Sequence, residues 1–379
     1  MLRYMWCAAA LAAAMQGAQA QNAFNPDISL ILQGTAAYGS QNPDDYQISG
    51  FAPSGGEVAP PRRGFSLGES ELVVSSNIDP YFRGQLVAAL TPENTVEVEE
   101  AFFQTLQLGR GFTLKGGRFL SAIGYQNPIH QHAWDFQDAP LAYKAFLGGR
   151  WNDDGAQLKW VAPTDLLVEL GGEAGRGRSF PGSDPNKNGA GAWSLFGHAG
   201  GDAGTAAWRA GLSYLAASPR DRSFEDGGIT QSFSGASRLW IADFVVKWPS
   251  VKVQGEYLRR RESGDLTFNG ATGGYQSRQS GWYLQSVYQV MPRWRAGYRF
   301  DRLNHGAVSN DLGLSAADAP LLLSEHNPIR HTAMVDWSLS EFSRIRLQLA
   351  RDKSRAGVTD NQALLQVIFS LGAHGAHTF

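Results

Sequence analysis

Hydrophobicity along this chain repeats every two residues, in segment after segment, and that period decides what the chain can fold into. In Ala206–Ala217, Trp208, Ala210, Leu212, Tyr214 and Ala216 share one face, while Arg209, Gly211 and Ser213 share the other. Near the C-terminus, Ile345, Leu347 and Leu349 alternate with Arg344, Arg346 and Gln348. A strand that is apolar on one side and charged on the other needs a different solvent on each side. A soluble β-protein supplies them as a dry core and outside water, but a chain built almost wholly of such strands has too few all-apolar segments for a core. Lipid outside and a wet lumen inside satisfy both faces, and closing the sheet leaves no unpaired edge.

Sixteen segments fit the pattern, the first at 28–38 and the last at 362–379, most of them near the length a tilted membrane strand needs. Four expected strands lie at 237–248, 251–261, 277–290 and 293–302. The connections sort by length. Tight ones fall at 77–79, 108–111, 163–164, 201–205, 249–250, 291–292 and 340–341; long ones at 39–64, 121–154, 175–191, 218–236, 262–276, 303–328 and 353–361. Only the short hairpin at 91–94 breaks the alternation, on the long-loop side. Short turns on the periplasmic side and long loops outside are what an outer-membrane barrel shows. The expected fold is all-β: a single 16-stranded antiparallel transmembrane β-barrel, with the long loop after strand five folded into the lumen. The stretch 50–64, rich in Pro and Gly, reads as a flexible loop.

The first 20 residues read as a secretory signal: Arg3, an apolar run at 6–15, and Ala18-Gln19-Ala20 as the cleavage triplet. The expected domains are therefore 1–20 signal peptide and 21–379 outer-membrane barrel. The single cysteine, Cys7, falls inside the signal, which excludes disulfides and thiol chemistry from the rest. Cleavage removes one basic residue and no acidic one, moving the net charge from -2 to -3, so no basic field for nucleic acid exists. No later run of 18 apolar residues occurs, which leaves no transmembrane helix.

The longest loop, 121–154, holds the candidate pore-constriction residues His130, His132, Asp135, Asp138 and Lys144, with Arg150 close by; Trp134, Phe136, Leu141, Tyr143 and Phe146 are placed to pin it to the wall. His130 and His132, two apart, with Asp135, offer the imidazole and carboxylate ligands zinc accepts, although polar loop histidines read the same way. Zinc there is the one cofactor the residues suggest. The tail carries a second pair, His374 and His377. Lumen-facing charge falls in two sectors: Glu69, Glu71, Glu97 and Glu99 with Arg83 on one wall, and Lys252, Arg260, Arg295, Arg299, Arg344 and Arg346 on the other. Opposed charge walls would orient polar solutes and set ion preference. The G-x-S-x-G match at 64–68, around Ser66, enters a strand rather than a strand–turn–helix elbow, so the chain does not read as an enzyme. Phe379 ends the chain on the parity of Ala363, Leu365, Val367, Phe369 and Leu371, as an assembly signal for the barrel-assembly machinery. Removing Phe379 should impair membrane insertion and leave secretion intact; fractionation of the truncated protein checks this, and normal insertion would count against it.

Five segments carry a resemblance: FNPDISLILQG (24–34), GFSLGESEL (64–72), EVEEAFFQTL (97–106), HQHAWDFQDAPL (130–141) and SLGAHGAHTF (370–379). Through them the chain resembles the outer-membrane porin superfamily, nearest in architecture to phosphate-selective porins, and more specifically the proteobacterial family labelled zinc-regulated outer-membrane receptor. The resemblance implies the outer membrane of a Gram-negative bacterium, a homotrimer, expression under zinc limitation and a metal-related cargo. No Arg/Lys-rich run matches a phosphate-selective loop, and the strands begin too early to leave a plug domain. The expected function is passive diffusion of small hydrophilic solutes or ions; the alternative is a receptor or uptake channel for zinc or a zinc complex.

Overall fold

The computed structural model describes residues 25–55, 58–183 and 189–372. The signal peptide, Phe379, His374 and His377 lie outside the described residues. Sixteen barrel strands are present: β1 (Asp27–Gly39), β2 (in two segments, Gly64–Leu67 and Ser70–Asn77), β3 (Phe82–Leu90), β4 (Val96–Thr105), β5 (Phe112–Leu120), β6 (Asn152–Val161), β7 (Leu167–Gly175), β8 (Ala192–Ala203), β9 (Ala206–Ala217, continued by Arg222–Asp226), β10 (Ile229–Lys247), β11 (Val251–Phe268), β12 (Ala271–Met291), β13 (Trp294–Asn310), β14 (Ile329–Ser340), β15 (Ser343–Lys353) and β16 (Asp360–Gly372). Each pairs antiparallel with its sequence neighbour, and β1 closes the sheet on β16 from Ser29↔Gly372 to Gly39↔Gln362. The G-x-S-x-G match lies in the first segment of β2, with Ser66 opposite Thr35, and runs on into the second strand segment rather than a helix.

The faces are inverted relative to a soluble protein. Leu212 is 55% exposed and Leu349 53%, while Arg260 and Asp336 are 0% exposed. Leaving a Leu in water rather than oil costs about 1.5–3 kcal/mol. A belt that also includes Leu30, Leu72, Leu86, Phe244, Leu284, Val335 and Leu365 is therefore a lipid-facing surface. Aromatic pairs sit at its rims: Trp294 stacks on Trp337 at 5.7 Å beside a short turn, and Tyr214 meets Trp193 and Trp240 at tilted angles toward the long-loop side. Ring bodies in the acyl region and polar edges at the headgroups account for this placement.

Two expectations change. β10 to β13 run far past the expected ends, and the supposed loops 218–236 and 262–276 are largely strand. Two-residue turns close them. Asn269 and Gly270 both have positive φ (47° and 82°), as do Gly227 and Gly228, which is the backbone a type I′ hairpin demands. Nor is 50–64 loose throughout: Phe51 and Ala52 are buried, and the Gly50 N–H donates to the Leu321 carbonyl at 2.7 Å.

Candidate functional site

β5 and β6 are joined by 121–151, which contains a 3-10 turn (Gln131–Ala133) and one short helix, α1 (Leu141–Leu147). Pro140 precedes α1, and Gly148 ends it in the left-handed conformation at φ 67°, where a glycine carries no Cβ penalty. All seven α1 residues are buried. They pack with Ile123 and Trp151 against Leu215, Leu239, Ile241, Leu258 and Leu303, which face inward from β9, β10, β11 and β13; Phe51 meets Phe146 edge-on at 5.6 Å. The interior therefore contains an apolar core, contrary to the expectation of too few apolar segments to form one.

The same segment is tied by charge in two directions. Its basic side chains meet the acidic sector of β2 and β4. His130 Nδ1 lies 3.2 Å from Glu99 Oε2 and 3.4 Å from Glu71 Oε2, and its Nε2 is 3.0 Å from Glu100 Oε2. His132 Nδ1 is 3.0 Å from Glu71 Oε1. Arg150 donates to Glu69 at 3.1 Å and also to Glu99. Burial alone would make His130 less basic, but its bonds to Glu100 and Glu99 and the charge of Glu71 push it up to about 10. With a carboxylate at each ring nitrogen, it is an imidazolium.

Its anions meet the basic sector of β11 to β15. Asp135 accepts from Lys252 at 2.8 Å and from Arg295 at 3.1 Å; Arg295 also holds Asp336. Asp138 accepts from Arg299 at 3.2 Å and Gln348 at 3.0 Å, contacts Lys144 Nζ at 3.2 Å, and pairs with Arg330. Burial opposes the charged form of Asp138, yet Arg330, Lys144 and Arg299 more than offset it and hold its carboxyl well below the usual range. Between the two sectors, Tyr143 donates to Glu256 at 2.8 Å and the Gln126 N–H donates to the same carboxylate at 2.8 Å.

Most charges of the two sectors are paired. Glu69, Glu71 and Glu99 bond to the loop, as do Lys252, Arg295 and Arg299. Arg260 donates to the Ala145 carbonyl and Arg346 to that of Trp134. Glu97 is exposed, Arg83 bonds Ser75, and Arg344 lines a cavity of about 480 Å³ with His132, Arg293, Ser338 and Ser343 beside the short turns. The basic sector is also not purely basic, because Asp301, Asp336 and Asp352 are interleaved in it. Lys144 is buried beside Asp138 rather than at an open constriction. The expected ligand set of His130, His132 and Asp135 is not brought together. Lys252 and Arg295 neutralise Asp135, and the carboxylates that reach His130 are Glu71, Glu99 and Glu100. Strict alternation missed Glu100. A bulge sets Val87 opposite Glu100 and Ala88 opposite Val98, so Glu99 and its neighbour both turn inward. The consecutive Glu99-Glu100 pair was the available signal.

A closed sixteen-stranded barrel with a lipid-facing belt and a charged interior defines a porin-like membrane β-barrel. No family model matches the chain. An uncharacterized protein of Aquifex aeolicus is 31% identical over 393 residues, spanning 95% of this chain and 81% of that protein. The chain belongs to the family of that protein. Among solved structures, the outer membrane channel DcaP of Acinetobacter baumannii matches with a TM-score of 0.62 at 10% identity, over 94% of this chain and 99% of that one. The trimer form of OmpT, an outer membrane protein of Vibrio cholerae, matches at 0.56 and 11%, over 92% and 100%. An anion-selective porin from Comamonas acidovorans matches at 0.52 and 9%, over 92% and 99%.

Proposed function

We propose that the protein is a channel in the outer membrane of a Gram-negative bacterium, through which small hydrophilic solutes or ions diffuse passively past a constriction formed by 121–151. The observation that carries this is one segment bridging acid on β2 and β4 to base on β11 to β15, inside a barrel whose outer face is built for lipid. On this reading the segment crosses the lumen and solutes pass it along the charged walls, exchanging water for fixed polar groups. The fold likeness to DcaP, a channel, and to the Comamonas porin supports the reading. The trimer form of the Vibrio protein supports a homotrimer here. No comparison lends support to a zinc receptor. Purified protein in planar bilayers should give stable, voltage-independent openings, in groups of three for a trimer. Protein that inserts and never conducts would sink the channel reading, and unitary steps alone would sink the trimer.

A further inference from the structure

Glu71 is wholly buried on β2, and its Oε2 accepts no hydrogen bond. Its one ion-pair contact is His130, at 3.4 Å and outside hydrogen-bond geometry, so this buried carboxylate oxygen is under-satisfied. His130 Nδ1 stands 3.4 Å from that atom and 3.2 Å from Glu99 Oε2, and the three ligand atoms lie within 4.8 Å of one another. A tetrahedral zinc-type ion with bonds of roughly 2.0–2.2 Å separates its ligands by about 3.3–3.6 Å. The two distances from Nδ1 are thus close to two edges of such a tetrahedron.

The surrounding groups fit the same ion. Glu100 engages His130 Nε2 at 3.0 Å, fixing the ring so that Nδ1 faces the two carboxylates. His132 holds the other oxygen of Glu71 at 3.0 Å, and Arg150 holds the other oxygen of Glu99. Ligating histidines and carboxylates in metal sites are oriented by such outer partners. One imidazole with two carboxylates suits zinc and its first-row neighbours rather than calcium or magnesium, which take oxygen alone.

We propose that Glu71, Glu99 and His130 bind a divalent ion of the zinc type, which staples 121–151 to β2 and β4 and keeps a fourth position for water. The ion takes the place of the Nδ1 proton, which leaves to solvent. Neither Asp135 nor His132 is a ligand in this site. The proposal does not depend on the channel reading.

The test uses purified, detergent-folded full-length protein, stripped with chelator and titrated with Co²⁺ for its visible absorption. Zn²⁺ bound after gel filtration is counted by mass spectrometry, and a His374→Ala, His377→Ala variant run in parallel discounts metal held by the tail. One ion per chain is expected. Glu71→Gln and His130→Ala should each abolish stoichiometric binding, and Asp135→Asn should leave it unchanged. His132→Ala should weaken binding by roughly 10–100-fold, as loss of an outer partner does. Heat-shifted gel mobility confirms folding, and Glu99→Gln carries the same expectation where either single variant fails to fold. Wild type that takes up no stoichiometric metal, or a folded His130→Ala protein that keeps its ion, overturns the site. Protein that conducts without binding metal removes this site and leaves the channel reading; protein that binds metal without conducting does the reverse.

Discussion

Asp138→Ala should cost about 3–5 kcal/mol at the loop anchor, the usual penalty for removing one partner of a buried ion pair. The carboxylate sits among Arg299, Arg330 and Lys144, whose side chains are 1%, 1% and 2% exposed. Arg299 would keep Asp301 and Arg330 would keep Asp352. Lys144 would lose the carboxylate at its Nζ, in a helix with no exposed residue. The surplus charge drives α1 out of its packing. The expected readout is a lower urea midpoint and new protease cleavage between 121 and 151. Lowering the pH mimics the change. Asp138 titrates below the normal range when folded, so its stabilisation is fully present above about pH 4 and fades as pH falls through the folded value. Resistance to protease unchanged by the mutation would show that this hub does not hold the loop.

The barrel was legible because one physical fact governs every strand: lipid on one side, polar groups on the other. Period two, turn chemistry and loop lengths all report it, so strand order and inward residues such as Arg260, Arg299 and Arg346 follow from parity alone. Strand length was less legible. Membrane thickness sets a minimum, and nothing in it stops β10 to β13 from continuing as hairpins beyond the lipid. Asn269-Gly270 was the missed sign, a strong hairpin signal inside what read as a loop.

The site was half legible. Residue types picked out His130, Asp135 and Asp138, and parity picked out the sectors they touch. Which pairs with which depends on where 121–151 packs against the strands, and that is a long-range packing outcome. The packing surface had a local sign. Leu239-Trp240-Ile241 and Tyr257-Leu258 place apolar residues on consecutive positions, so both faces of those strands are apolar. In a chain with a wet lumen, that marks where something dry rests against the inner wall; here it is α1.

Replacing 122–150 with a short Gly/Ser hairpin should raise single-channel conductance several-fold, because every tether described above belongs to that segment. Its removal frees Glu71, Glu99 and Glu100 on one wall and Lys252 on the other, while Arg295 keeps Asp336 and Arg299 keeps Asp301. These groups hydrate readily in a wide lumen, so the polar walls survive the excision. The apolar patch does not fare as well. Leu215, Leu239, Ile241, Leu258 and Leu303 would face water, at about 1.5–3 kcal/mol for each fully exposed side chain, and the shortened barrel should unfold at lower urea. Larger openings and lower stability are therefore expected together. The bared acidic wall would also make ion preference more sensitive to salt, since exposed charges are screened over about 10 Å at 0.1 M. The measurement is conductance against salt for both proteins, with gel mobility confirming a folded barrel. Equal conductance in the two would mean that the solute path does not run past this segment, and the constriction would have to be sought elsewhere in the lumen.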